Sequence, residues 1–298
     1  MKRAVRLLIS VVIGVAIAVP IGGILATENA LRIHVRPSPD VQLARAMARM
    51  TGADWEDVRV AAADGIMLDA WVFTPPRHNG AAVILLHGVG DTRGGPWVQA
   101  NLLARYGFTV LLPDARGHGV SGGDVITFGL RESSDVHEWA EWLFRHRRVE
   151  RLYGFGFSMG AAILLQALPR EPRFRAVVAE APFSSFEQIA LDRITQQGVP
   201  LAVAWPIVKT GLAWARVRYR TDLREASPAI AVRGTRTPVL LIHGTEDVNI
   251  PITHSRRLTA ENRDLVLWEV PGAHHMDVSA RAPAAYEQRV VEWFRSHP

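Results

Sequence analysis

The sequence predicts an α/β fold: a mostly parallel central sheet with flanking helices, a small helical cap inserted late in the chain, and an apolar helix at the N-terminus. Three observations carry this expectation. Short apolar runs at 81–86, 108–112, 151–155, 176–179, 239–242 and 265–268 have the length and unbroken hydrophobicity of strands buried on both faces of a parallel sheet. Helical spacing fills the gaps, with Val136, Trp139, Ala140, Leu143 and Phe144 inside 134–145, and Tyr286, Val290, Trp293 and Phe294 near the C-terminus. Strands and helices therefore alternate, as they do when parallel strands are joined by crossover helices.

Before the first parallel strand, runs at 58–63 and 67–73 flank Asp64-Gly65, a pair suited to the positive φ of a tight hairpin turn, so the sheet starts antiparallel. The rhythm breaks at 184–226, where apolar segments 199–208 and 212–217 lie between two strands. Pro206, Lys209 and Arg216 interrupt them, which favours a helical cap over a second membrane span.

Lys2, Arg3 and Arg6 precede a stretch at 7–26 without a charged residue, about 20 residues that at helical rise match a hydrocarbon core. Two readings stay open: an uncleaved signal-anchor, or a signal peptide with a small-x-small site at Ala16-Ile17-Ala18. The expected organisation is a leader at 1–28, a linker and N-terminal helix at 29–57, and one catalytic domain at 58–298. Either leader reading puts that domain outside the cytoplasm, tethered to the cell membrane by one pass, or secreted or periplasmic.

Composition is that of an ordinary globular protein, with 48% hydrophobic and 21% charged residues. The net charge of +5 is spread along the chain, so no nucleic-acid surface is expected. The densest run, Arg145-His146-Arg147-Arg148, falls at a predicted helix end, where cations complement the helix dipole. No cysteine is present, which excludes disulfides, thiolate metal sites and a cysteine nucleophile.

The chemistry concentrates at Gly156-Phe157-Ser158-Met159-Gly160, a G-x-S-x-G sequence in which a sharp strand-to-helix turn exposes the serine. Residues 152–155 read as the strand before it and 161–165 as the helix after it. Serine needs a base to take its proton, and the base needs an acid to fix its tautomer, in the chain order Ser, Asp, His. Glu246-Asp247 follows one strand and His274-His275 the next, giving two candidates for each role. Leu86-His87-Gly88-Val89-Gly90 ends the first central strand on a turn able to aim N–H groups inward. The backbone N–H groups of Val89 and Met159 are the expected oxyanion donors.

Together with His87-Gly88, the segment 113–121 (Pro113-Asp114-Ala115-Arg116-Gly117-His118-Gly119-Val120-Ser121), His243-Gly244 with Asp247, and Gly272-Ala273-x-His275, the chain resembles the α/β-hydrolase superfamily from about residue 58 onward. It looks most like the branch of serine aminopeptidase-like, lysophospholipase-like and esterase-like hydrolases. That resemblance implies an α/β-hydrolase fold and a catalytic set of Ser158, Asp247 and His275, the spacing from Gly272 selecting His275 over His274. It gives Asp114, Arg116, His118 and Ser121 a structural role. Haloalkane dehalogenases and epoxide hydrolases of the superfamily place aspartate where Ser158 stands, so serine argues against both. No cofactor and no metal are implied. The expected activity is cleavage of carboxylic ester, thioester or other acyl bonds in a small-molecule acyl substrate. The alternatives are a serine aminopeptidase-like peptidase, with Glu180, Glu187 and Asp192 as candidate partners for a substrate amine, and a non-catalytic binding module.

Overall fold

The computed structural model describes residues 2–32 and 41–298, except for some side chains in the first half of the N-terminal helix. The part of the expected linker at 33–40 lies outside the described residues. In chain order the elements are α1 (Lys2–Leu31), α2 (Val41–Thr51), β1 (Asp54–Ala61), β2 (Met67–Thr74), β3 (Ala81–Leu86), α3 (Trp97–Arg105), β4 (Thr109–Pro113), α4 (Glu132–His146), β5 (Arg151–Phe157) and α5 (Met159–Ala167). They continue as β6 (Phe174–Glu180), α6 (Phe186–Gln196), α7 (Leu201–Tyr219), α8 (Pro228–Ala231), β7 (Val239–Gly244), α9 (Thr253–Glu261), β8 (Val266–Val270), α10 (Val278–Arg281) and α11 (Pro283–Arg295).

The eight strands form one sheet in the order β1-β2-β4-β3-β5-β6-β7-β8. The first two pairings, β1 with β2 and β2 with β4, are antiparallel, and all the others are parallel. The hairpin turns at Asp64-Gly65 with Gly65 at φ +83°, and Ala61 pairs with Met67. After β3 the chain moves to one side to make β4, then crosses back to the other side to make β5. The carboxyl ends of β3 and β5 therefore flank a topological switch point, where an open α/β sheet leaves a crevice.

Strand alternation splits the core into two layers. Ala82, Ile84 and Leu86 of β3 pack with α4 and α5, while Ala81, Val83 and Leu85 pack with α2, α3 and α11. Trp139 and Leu143 of α4 fill the first layer, and Tyr286, Val290 and Phe294 of α11 fill the second, on the stripes that their helical spacing marks.

Between β6 and β7 lie α6, α7 and α8, which form the cap referred to below. Its root is fastened by His254 of α9. His254 Nε2 lies 2.9 Å from Asp192 Oδ2 on α6, and its Nδ1 lies 2.9 Å from both the backbone N and the Oγ of Ser184.

At the N-terminus α1 runs past residue 28, with Pro20 inside it and Gly23, Thr27 and Leu31 buried against the domain. Its last turns thus pack against the domain. Among the described residues no helix is long and apolar enough to cross a membrane.

Phe294 is fully buried and its ring lies against Phe108 and Tyr153, at centroid distances of 5.8 and 4.9 Å. Phe294→Ala is expected to destabilise the fold by about 3–5 kcal/mol through lost burial and a residual cavity. Urea unfolding of the two proteins measures the difference.

Candidate active site

Ser158 stands at the turn from β5 to α5 with φ +52° and ψ −114°, a conformation that costs a side-chain-bearing residue about 1–3 kcal/mol. Close packing enforces it. A Cβ at Gly160 would lie 2.5 Å from the His87 carbonyl oxygen and 2.6 Å from that of Leu86, so only glycine lets α5 approach the end of β3. A Cβ at Gly156 would meet the Gly160 backbone at 2.5 Å. The Ser158 N–H donates to the Glu180 carbonyl at 2.8 Å, tying the turn to β6.

Two loops bring the distant residues to this serine. The loop after β7 carries Asp247, which is buried, and the loop after β8 carries His275. His275 Nε2 lies 3.1 Å from Ser158 Oγ and its Nδ1 lies 2.7 Å from Asp247 Oδ2. A carboxylate only accepts, so Nδ1 carries the proton and the Nε2 lone pair faces the hydroxyl. Burial alone would raise the Asp247 carboxyl, but hydrogen bonds from His243, His275 and the Ile250 N–H overcome this and hold it well below the usual carboxylate range. Its Oδ1 accepts from the N–H groups of Asn249 and Ile250 at 2.9 and 2.8 Å. The paired alternatives sit elsewhere. His274 is exposed, with Nδ1 3.0 Å from the Glu246 carbonyl oxygen, and the Glu246 side chain is exposed too.

The loop after β3 is pinned on both sides of Val89 by two neighbouring histidines whose rings lie 5.0 Å apart and are tilted by 59°. His87 Nδ1 donates to the Gly88 carbonyl at 2.7 Å, and its Nε2 accepts the Ala115 N–H at 3.0 Å. His118 Nε2 accepts the Gly90 N–H at 3.2 Å, and its Nδ1 donates to the Arg116 carbonyl at 3.0 Å. Both rings are neutral: burial pushes His87 down, and burial with the neighbouring His87 pushes His118 down to about 4. The Gly90 N–H is thereby committed, and that of Asp91 donates to the Gly88 carbonyl. The N–H of Met159, the first residue of α5, has no acceptor within the helix. Val89 and Met159 border the same cavity as Ser158 and His275.

Residues 113–121 make a buried polar loop. Asp114 accepts the N–H groups of Arg93 and Val120, and Ser121 Oγ donates to the Asp114 carbonyl. Arg116 binds Asp135 with two hydrogen bonds and Asp64 with two more, joining the loop to α4 and to the hairpin turn. The sequence reading left out the link from His118 to Gly90. An imidazole one turn of loop beyond Arg116 was the available signal, but only the folded chain shows which N–H it meets.

None of the three acidic residues considered for a substrate amine faces the cavity. Glu180 is buried behind the site and accepts the Tyr286 hydroxyl at 2.7 Å, Glu187 pairs with Lys209 at 2.6 Å, and Asp192 is engaged by His254. Among the described residues no cluster of three or more His, Cys, Asp or Glu is placed to hold a metal ion.

The cavity in front of Ser158 measures about 640 Å³. Phe128, Phe183, Phe186, Ile189, Val208 and Leu212 give it largely apolar walls, with Thr27, Asn29, Asp91, Arg193, Gln197 and Asn249 as polar exceptions. The volume falls within the range of about 300–1,000 Å³ typical of small-molecule sites.

Fold and site together define a serine hydrolase of the α/β-hydrolase superfamily. The chain belongs to the prolyl oligopeptidase family, whose model matches residues 96–297. It is 29% identical over 254 residues to the uncharacterized protein YfhR of Escherichia coli, covering 81% of each chain. In three dimensions it is similar to the esterase Pf2001 of Pyrococcus furiosus, with a TM-score of 0.69, 22% identity, and 84% of this chain and 95% of that one covered. It is also similar to the acylaminoacyl peptidase of Pyrococcus horikoshii, with a TM-score of 0.63, 19% identity, and 82% of this chain and 42% of that one covered.

Glu180 generates a pH prediction. Burial, with the nearby charges of Asp277 and Asp247 adding to it, pushes its carboxyl up to about 7 against the opposing hydrogen bond from Tyr286. The folded state therefore holds a proton that the unfolded chain releases near 4.5, and stability falls as pH rises from about 4.5 to 7. The loss amounts to about 3 kcal/mol. Glu180→Gln is expected to remove that slope, read from urea unfolding at pH 5, 6, 7 and 8.

Proposed function

We propose that the protein is a serine esterase that cleaves carboxylic ester, thioester or related acyl bonds with Ser158 as nucleophile, His275 as base and Asp247 as the acid that orients it. The reading rests on the continuous contacts from Asp247 through His275 to Ser158 Oγ, opening onto a mostly apolar cavity. Ser158 Oγ attacks the substrate carbonyl carbon while its proton passes to His275 Nε2. The ionised Asp247 stabilises the imidazolium that forms, and the N–H groups of Val89 and Met159 receive the oxyanion. Collapse of the intermediate expels the alcohol, which takes the proton from His275, and leaves an acyl-enzyme. Water, activated by the same imidazole, then releases the acid and restores Ser158.

The family match and the likeness to an acylaminoacyl peptidase favour amide cleavage by the same residues as a second reading. Of the acidic residues that could meet a substrate amine, Glu180, Glu187 and Asp192 are engaged elsewhere, and Asp91 is the carboxylate that lines the cavity. Rapid turnover of simple esters, with no turnover of a panel of aminoacyl amides, decides for the esterase.

The proposed location is outside the cytoplasm, in association with the cell membrane. It is supported by the positive residues Lys2, Arg3 and Arg6 ahead of the uncharged stretch at 7–26. Labelling of membrane and soluble fractions with a fluorophosphonate tests location and chemistry together. Native protein is expected to label in the membrane fraction, whereas folded Ser158→Ala does not label.

In ester hydrolysis, Ser158→Ala and His275→Ala are each expected to lower kcat by at least about 10³-fold, in keeping with the loss of one member of a triad. His274→Ala should remain within twofold of the native rate. Failure of the folded native protein to label, or full activity in Ser158→Ala, would overturn the esterase reading.

A further inference from the structure

The cavity in front of Ser158 has a wall that the catalytic domain does not supply. Gly23, Ala26, Thr27, Asn29 and Ala30 of α1 line it together with Ser158 and His275. Residues 23, 26, 27 and 30 share one face of a helix, while Leu25, on another face, is 63% exposed and does not line the cavity.

The docking that presents this face is built into the sequence. A Cβ at Gly23 would lie 2.5 Å from the Ile207 carbonyl oxygen, and one at Gly211 would lie 2.3 Å from Thr27 Oγ1, so two glycines bring α1 and α7 into backbone contact. One turn further along, Glu28 accepts the Trp214 indole N–H at 2.7 Å and the Tyr219 hydroxyl at 2.6 Å. Arg32 Nε donates to the same Tyr219 oxygen at 3.1 Å. These bonds fix the rotation of α1 as well as its position. The cavity is also bounded by Ile189 and Ile194 of α6 and by Val208 and Leu212 of α7.

We propose that α1 is a specificity-determining wall of the acyl pocket, and that the substrates are esters of linear acyl chains whose methylenes lie between α1 and the two cap helices. This rests on the serine esterase reading and adds the substrate class to it. The apolar surface continuous with Ser158 suits a chain without polar groups. The small side chains at Ala26 and Ala30 leave the room that the chain occupies.

The test is a series of p-nitrophenyl esters from acetate to decanoate, with fluorophosphonate labelling of Ser158 in every variant. In native protein kcat/KM is expected to rise by about fourfold per methylene until the cavity is full. Ala26→Phe should lower the decanoate-to-acetate ratio of kcat/KM at least tenfold, and Ala26→Leu, with a smaller side chain, should lower it less. Leu25→Phe, on the same helix but off the cavity, should leave the ratio within twofold. A flat or falling native profile, an unchanged ratio in both Ala26 variants, or an equal drop in Leu25→Phe would overturn the proposal. If Ser158 labels normally in those cases, only the wall is lost. If native protein does not label, the esterase reading falls with it.

Discussion

The site depends on one close approach, that of α5 to the end of β3. With no side chain at Gly160, the first turn of α5 rests on the carbonyl oxygens of Leu86 and His87, and Ser158 is held at positive φ as the chain leaves β5. The same contact places the Val89 loop and the N-terminus of α5 on either side of one crevice. The parallel strands β3, β5 and β6 surround this point and are buried over the ends that face it, which keeps the strained serine from relaxing. A side chain at position 160 would separate helix from strand and dismantle nucleophile and loop together.

Around that contact the charges are arranged so that the site is polar where it must be and neutral elsewhere. Asp247 is ionised although buried, because four donors converge on its two oxygens or lie close to them. His87 and His118, which hold the neighbouring loop, are uncharged and use each ring once as donor and once as acceptor. Neutral rings cost less to bury than a cation and leave the negative potential of Asp247 directed at His275.

Much of this was legible in the sequence for identifiable reasons. Residues 81–86 form β3 with the same limits as their apolar run, and the other parallel strands differ from their runs by at most two residues at an end. Buried parallel strands advertise themselves through unbroken hydrophobicity. Ser158 was legible because its turn demands two glycines at fixed positions. The choice between neighbours was less so: only the resemblance, through the spacing from Gly272, selects His275 over His274, and the turn that orients them, in which Met276 adopts φ +60°, has no signal of its own in the sequence. Least legible was α1. Its uniform apolarity signals a membrane segment, while Gly23, Thr27 and Glu28, which dock it, find their partners at Gly211, Trp214 and Tyr219 almost two hundred residues away. Helical periodicity reports a face, not the identity of what covers it.

That separation affects how the protein is made. α1 precedes its hydrogen-bonding partners on α7 by 186 and 191 positions in the chain. At synthesis rates of about 5–20 residues per second, Glu28 waits on the order of ten to forty seconds for Trp214 and Tyr219. Through that interval the docking face of α1 has nothing of its own chain to rest on. The wall that α1 contributes is thus closed long after its residues are made, and the pocket is complete only when His275 and Met276 have followed.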